Sequence, residues 1–244
     1  GIAILGDGRM GHLRQAQAAA NVIKDALQEK DIHTTIRTVP VIFKSRGARP
    51  MFEILSVVVP MSLFQGRLGF MRWFLTPESF RQVISTKVDF IISCGASTAT
   101  VNCLLAQDQQ AKSIVMQKPG VLGVNRFDMV ILPQHDAVKL KQVAPNVVVT
   151  KGAPNLVNAD YLNEQSELLL KKFSHLKVQD RFLIGLFIGG DTKSESLSEQ
   201  QVKQVVYQIK EIAEEIDAEI LATSSRRTPA KIENILQREL KKYD

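Results

Sequence analysis

The sequence predicts an α/β fold with parallel sheets, and two observations predict it. Short apolar runs alternate with helical stretches along the chain, and glycine-containing turns stand at the ends of the runs. Ile2-Ala3-Ile4-Leu5 is the first run, a buried strand that ends in Gly6-Asp7-Gly8. Over 13–29, Ala16, Ala19, Ala20, Ile23 and Leu27 fall at helical spacing. Residues 34–39 alternate as a strand. Further runs at 88–93, 113–117, 128–132 and 147–150 complete a first domain over 1–155.

A polar, helical connector occupies 156–180, and a second domain begins at 181. Its first strand, 182–188, is broken by Gly189-Gly190-Asp191. A helix over 198–216 follows, with Ser198 as N-cap and Gln201 three residues on to complete a capping box. The run 218–223 is the next strand and 230–242 the next helix. Two strands are fewer than a stable sheet usually has, so the second domain is expected to be incomplete.

The 244 residues are 45% hydrophobic and 23% charged, ordinary for a globular protein, which excludes a disordered tail, a collagen and a coiled coil. A net charge of +6 is too mild to imply nucleic-acid binding. Cys94 and Cys103 show neither metal-ligand spacing nor a disulfide framework, and they suit a reducing compartment. No segment approaches the ~18 uninterrupted apolar residues of a membrane-spanning helix. The chain opens at Gly1 already inside an apolar run, as an excised piece would, which leaves a targeting segment upstream open.

Parallel sheets bind ligands at the carboxyl ends of their strands, so chemistry is sought in those loops. The first loop sets Gly6, Gly8 and Gly11 in Gly-x-Gly-x-x-Gly spacing, with His12 at a helix start and Asp7 and Gln15 beside it. No acidic residue closes a second strand about 20 residues on, which argues against a dinucleotide. His12 suits a general base, because imidazole titrates near neutrality, or a structural hydrogen bond. Gly95, Ser97 and Thr98 suit a sugar or phosphate contact but fit a plain helix cap better. His135-Asp136 suits a turn at least as well as a catalytic pair, and the Gly152-to-Asn155 loop suits a sharp turn between domains.

In the second domain, Gly189-Gly190-Asp191-Thr192-Lys193 has the chemistry of a phosphate cradle without Walker spacing. Ser225-Arg226-Arg227-Thr228 adds two arginines suited to bidentate phosphate contact. Together, Lys193, Arg226 and Arg227 are expected to surround one anion. Residues 44–81 are different in kind. Six basic residues (Lys44, Arg46, Arg49, Arg67, Arg72, Arg81) edge an apolar sequence from Met51 to Leu75, against two acids. This suits either an interfacial membrane surface with snorkelling arginines or an ordinary pair of core helices.

Five segments in order resemble the motifs of one family: Asp7-Gly8-Arg9-Met10-Gly11-His12-Leu13-Arg14-Gln15, Pro133-Gln134-His135-Asp136, Gly152-Ala153-Pro154-Asn155, Gly189-Gly190-Asp191-Thr192-Lys193 and Ser225-Arg226-Arg227-Thr228-Pro229. It is the family of plant mitochondrial fission proteins of the Elm type and their bacterial relatives, described as glycosyltransferases. The resemblance implies a GT-B plan of two Rossmann-like domains, similar to the peptidoglycan N-acetylglucosaminyltransferase and to lipid A disaccharide synthase. It further implies an acceptor-binding N-terminal domain, with Gly8, Gly11, Gln15, Gly95, Ser97, His135 and Asn155 about the acceptor. The C-terminal domain would bind a nucleotide-sugar through Gly189, Gly190, Asp191, Thr192, Lys193, Ser225, Arg226, Arg227 and Thr228.

The expectation is sugar transfer to a lipid-linked or membrane-associated acceptor, with His12 as base and Asp7 as a weaker candidate. No metal or other cofactor is expected, since no Asp-x-Asp pair occurs. The protein is expected to be cytoplasmic and peripheral to the inner face of an anionic membrane, without a nucleic-acid partner. The alternative is a non-catalytic peripheral membrane scaffold. An epimerase on the same fold is disfavoured by the apolar basic segment.

Overall fold

The computed structural model describes residues 1–59, 61–138, 142–177, 182–191 and 195–241. The chain folds as two compact units, Gly1–Leu162 and Asn163–Asp244. In the first, strand β1 (Ile2–Gly6) leads into helix α1 (Met10–Gln28) and strand β2 (Ile36–Pro40). Helices α2 (Ala48–Val58) and α3 (Pro77–Ser85) come next, with two short 3₁₀ segments between them. Then follow β3 (Phe90–Cys94), α4 (Ala96–Gln109), β4 (Lys112–Met116), β5 (Met129–Pro133), the one-turn α5 (Gln134–Ala137) and β6 (Val147–Thr150). Helix α6 (Ala159–Lys172) carries the chain across the division between the units.

The six strands form one parallel sheet in the order β2-β1-β3-β4-β5-β6. This is a Rossmann-like α/β arrangement, and its period of two explains the unbroken apolar run at the N-terminus. Ile2 and Ile4 pack with Ile92, Ile114 and Ala16, Ala19 and Ala20 of α1 on one face. Ala3 and Leu5 join the larger cluster on the other, with Phe52, Met71, Leu104 and Val130. A strand covered on both faces needs no polar side chain. Three alanines let α1 lie close to the sheet. Because β2 and β3 flank β1 on opposite sides, the strand order reverses at β1/β3, and a crevice opens there.

Helix α4 escapes sequence reading because it has no apolar stripe. Every residue from Thr98 to Ala106 is buried, polar Thr100 and Asn102 among them. Asn102 is satisfied in part by donating from Nδ2 to Ser93 Oγ (2.9 Å) and to the Ile114 carbonyl (2.8 Å). The 44–81 segment divides its apolar residues between two roles. Phe52, Phe64, Leu68, Met71, Phe74 and Leu75 are core, with Phe70 stacked on Phe52 and Phe64 and Phe43 tilted against Phe52. Met51, Ile54, Val57, Val58, Leu63 and Trp73 are exposed. Pro60 lies outside the described residues. No helix among the described residues is long and apolar enough to cross a membrane.

The second unit contains β7 (Leu183–Ile188), α7 (Glu199–Glu215), β8 (Glu219–Ser224) and α8 (Ala230–Leu240), with β7 and β8 parallel. The expected capping box is present: Ser198 Oγ accepts from Gln201 N, and Gln201 Oε1 accepts from Ser198 N. Leu186, Val202, Val206, Ile220, Ile232 and Leu236 form its core.

Leu104 is almost fully buried in α4, which carries the loop after β3. Leu104→Ala is expected to cost about 2–5 kcal/mol through the cavity it leaves. The check is a lowered urea midpoint for the transition of the first unit.

Candidate functional site

The carboxyl ends of β1 and β3 bring together the residues the first loop set out. Asp7 follows β1 directly, and Gly8 turns the chain at φ +80°, where a side chain would be strained. This delivers Arg9 to the start of α1 and His12 to its first turn. Gly11 is exposed and has open space about it, so nothing local requires glycine there.

Asp7 is the centre of the cluster. Its side chain is only 7% exposed, yet it is fully partnered. Oδ2 accepts from His12 Nδ1 at 2.9 Å and from Ser97 Oγ at 2.5 Å, and Oδ1 accepts from Arg9 N at 3.1 Å. The Arg9 guanidinium stands at 3.9 Å. Burial pushes the carboxyl's pKa up, but the Ser97 hydroxyl, the Arg9 N–H and His12 together outweigh it. The net result lies below the ordinary aspartate value of 3.8. An ionised carboxylate can only accept, so His12 donates from Nδ1, and in the neutral imidazole Nε2 is then the nitrogen that can accept.

Ser97 corrects the simpler sequence reading of this loop as a helix cap. Gly95 is the N-cap of α4, without a side-chain bond, and the Ser97 hydroxyl turns to Asp7 instead. Gly95 sits at φ +74°, and a Cβ there would lie 3.0 Å from His12 Cε1. Glycine is therefore needed twice, for the conformation and for the imidazole packed against it.

His12 lines a cavity of about 230 Å³ with Arg9, Gly95, Ala96, Gln117, Lys118, Leu132 and Asp136. Gln15 supports its floor, accepting from Gln117 Nε2 at 3.1 Å and from the Cys94 thiol at 3.5 Å. Burial, and then the charge of Asp7, push that thiol up to about 12, so Cys94 is an inert packing group. Gln117 holds a left-handed backbone, φ +64°, a strained state for a residue with a Cβ. Gln117 and Lys118 belong to none of the sequence motifs, and Asp136 enters the cavity in place of its neighbour His135. The end of β4 falls at Met116, so the strand-end rule points to the first two once that boundary is known.

Two expected residues stay apart from this cluster. His135 is largely exposed, with Nε2 3.7 Å from Asp136 Oδ2, and it is Asp136 that lines the cavity. Asn155 folds its own loop, accepting from Val157 N at 2.9 Å. No group of three or more His, Cys, Asp or Glu side chains placed to hold a metal occurs among the described residues.

In the second unit the two glycine- and arginine-bearing loops are fastened to each other. A Cβ on Gly190 would lie 2.1 Å from the Arg227 carbonyl carbon, so only glycine fits there. Asp191 N donates to the Arg227 carbonyl, and Thr228 Oγ1 donates to that of Gly189 at 2.9 Å. Ser225 N in turn donates to Thr228 Oγ1, and Arg227 N to Ser225 Oγ. The hydroxyls thus serve the loop architecture, while the Arg226 and Arg227 side chains are exposed. Asp191 Oδ1 accepts from Leu197 N. Thr192 and Lys193 lie outside the described residues.

A depressed aspartate pKa stabilises the fold above the unfolded value and loses that contribution as pH falls through the folded value. The stability of the natural chain is therefore expected to fall more steeply below about pH 4 than that of Asp7→Asn. Thermal melts of both proteins between pH 7 and pH 3 provide the comparison. Parallel curves would show that Asp7 is not held as described.

The sequence profile of the family described as Mitochondrial fission ELM1 matches residues 10–244, a span that includes His12 and both loops of the second unit. No curated protein matches the chain.

Proposed function

The chain belongs to the mitochondrial fission ELM1 family, and from that premise we propose that it transfers a sugar from a nucleotide-sugar to a hydroxyl of a membrane-associated acceptor. The observation that carries this reading is the His12–Asp7 pair, with Nε2 free at a cavity on the switch point of the sheet. Nε2 takes the proton of the acceptor hydroxyl as its oxygen bonds to the anomeric carbon. The bond from that carbon to the diphosphate oxygen breaks, and the nucleoside diphosphate leaves with the electron pair. Asp7 holds the imidazole in the tautomer that can accept, and its charge stabilises the imidazolium that forms.

The leaving diphosphate gains negative charge during the step, and cations aimed at it lower the barrier. Arg226 and Arg227 suit that role, and Lys193 joins them on its sequence position alone. The backbone at Gly189-Gly190 and the neighbouring Asp191, Thr192, Ser225 and Thr228 complete the proposed donor set. Side-chain cations can perform the charge neutralisation without a metal. The exposed residues Met51, Ile54, Val57, Val58, Leu63 and Trp73, edged by Arg67 and Arg72, support contact with an anionic membrane. The same surface favours a second reading, a membrane scaffold that does no chemistry.

A nucleotide-sugar at 100 times its dissociation constant is expected to add about 2.7 kcal/mol of stability. That gain should fall in Arg227→Ala and persist in His12→Ala. Turnover in His12→Ala is expected to drop by roughly 10²–10⁴-fold. Absence of a thermal shift across a panel of nucleotide-sugars would favour the scaffold, and undiminished turnover in His12→Ala would remove the base. Co-sedimentation with anionic vesicles is expected to weaken when Arg67→Glu and Arg72→Glu are combined, and no change would remove the membrane contact.

A further inference from the structure

Two helices of the first unit begin beside arginines. The exposed N–H groups of a helix start favour an acid, and a cation there is unfavourable. Helix α1 nevertheless starts directly after Arg9, and α2 carries Arg49 in its first turn. Neither helix has an acid in its first turn, although the Asp7 carboxylate accepts from Arg9 N at 3.1 Å and Ser45 Oγ accepts from Ala48 N at 3.2 Å. Both arginines line one cavity of about 260 Å³, on whose wall Asp7 is the acid. That acid is already engaged by Ser97, His12 and the Arg9 N–H.

The guanidinia retain capacity. Glu53 accepts from Arg49 Nε at 2.7 Å, which leaves both terminal NH₂ groups of that fork. Arg9 Nε stands 3.9 Å from Asp7, beyond hydrogen-bond distance. No other hydrogen bond or ion pair holds either guanidinium among the described residues. Two forks at two positive helix ends, converging on one cavity, suit a phosphate, whose oxygens accept bidentate contacts.

The remaining wall residues of the cavity are largely apolar. Val41, Ile42 and Phe43 line the cavity, and hydrogen bonds fasten their backbone. Val41 N donates to Gly6 O, Ile42 N donates to Ser79 Oγ, and Ile42 O accepts from Thr76 N. Ile42 is exposed, and α2 turns Met51, Ile54, Val57 and Val58 to solvent. We propose that this cavity binds a phosphate ester carried on a lipid, with Arg9 and Arg49 gripping the phosphate while the apolar part of the lipid meets the exposed side of α2. This rests on the membrane contact proposed above, and not on sugar transfer.

The test is co-sedimentation of the full chain with phosphatidylcholine vesicles, with and without phosphatidic acid. Amide shifts of Gly8 and Gly47 on adding glycerol 3-phosphate form a second arm. Phosphatidic acid is expected to strengthen binding, and Arg9→Gln or Arg49→Gln to weaken it at least about tenfold. Arg49→Lys should recover only part of the loss, because it restores charge without the fork. Arg37→Gln, which removes an exposed arginine of β2, should bind as the natural chain does. Thermal melts establish that each variant is folded.

Vesicle binding that is indifferent to Arg9 and Arg49 would overturn the site while leaving the membrane contact standing. Arginine-dependent amide shifts with glycerol 3-phosphate, without binding to any vesicle, would overturn the lipid source and the membrane contact together. Binding of neither probe would overturn the proposal. Each of these outcomes is independent of turnover in His12→Ala.

Discussion

The ionised carboxylate of Asp7 is the interaction on which the first unit's site depends. Taking a charge out of water is costly unless every lone pair finds a donor. Here the donors come from separate pieces of chain: the backbone of Arg9, the imidazole on α1 and the hydroxyl on α4. One group therefore locks the loop after β1 to the helix after β3. It does so where the strand order reverses, the one place in the sheet where two loops diverge and leave a crevice. The donation from His12 Nδ1 follows from that carboxylate being charged, and the imidazole held there packs where a Cβ at position 95 would be.

Around this centre, several local preferences are overridden, and they are overridden together. Gln117 holds a left-handed backbone, α4 starts at an uncapped glycine, and two helices start beside arginines. By contrast, α3 and α7 are capped by Thr76 and Ser198 in the usual way.

The second unit uses the same vocabulary for a different purpose. Gly190 is glycine because the backbone of the Arg227 loop passes where its Cβ would be. Thr228 and Ser225 bond to that junction and to each other. Their composition resembles a phosphate cradle, but their hydroxyls hold two loops in register, leaving the arginine side chains outward. Residue type indicates which bonds are possible, and it does not indicate which partner takes them.

The sequence by itself determined the parallel α/β class, the eight strands of the described residues to within two residues at either end, and the capping box at Ser198 and Gln201. These are local matters: a strand buried on both faces must be apolar throughout, and a cap needs only its own first turn. The sequence also singled out Asp7, His12, Gly95 and Ser97, because strand ends can be recognised one at a time. Their convergence was decided by the tertiary structure alone, since pairing β1 with β3 joins residues 90 positions apart. The same holds for α4, whose burial on every side erases the stripe that marks a helix, and for Arg49, which lines a cavity with Arg9 only through the packing of α2. The division of 44–81 into core and exposed apolar residues likewise depended on which side of each turn met the sheet. A periodic pattern records that a face is buried, but contact between distant segments is fixed by the packing that buries it.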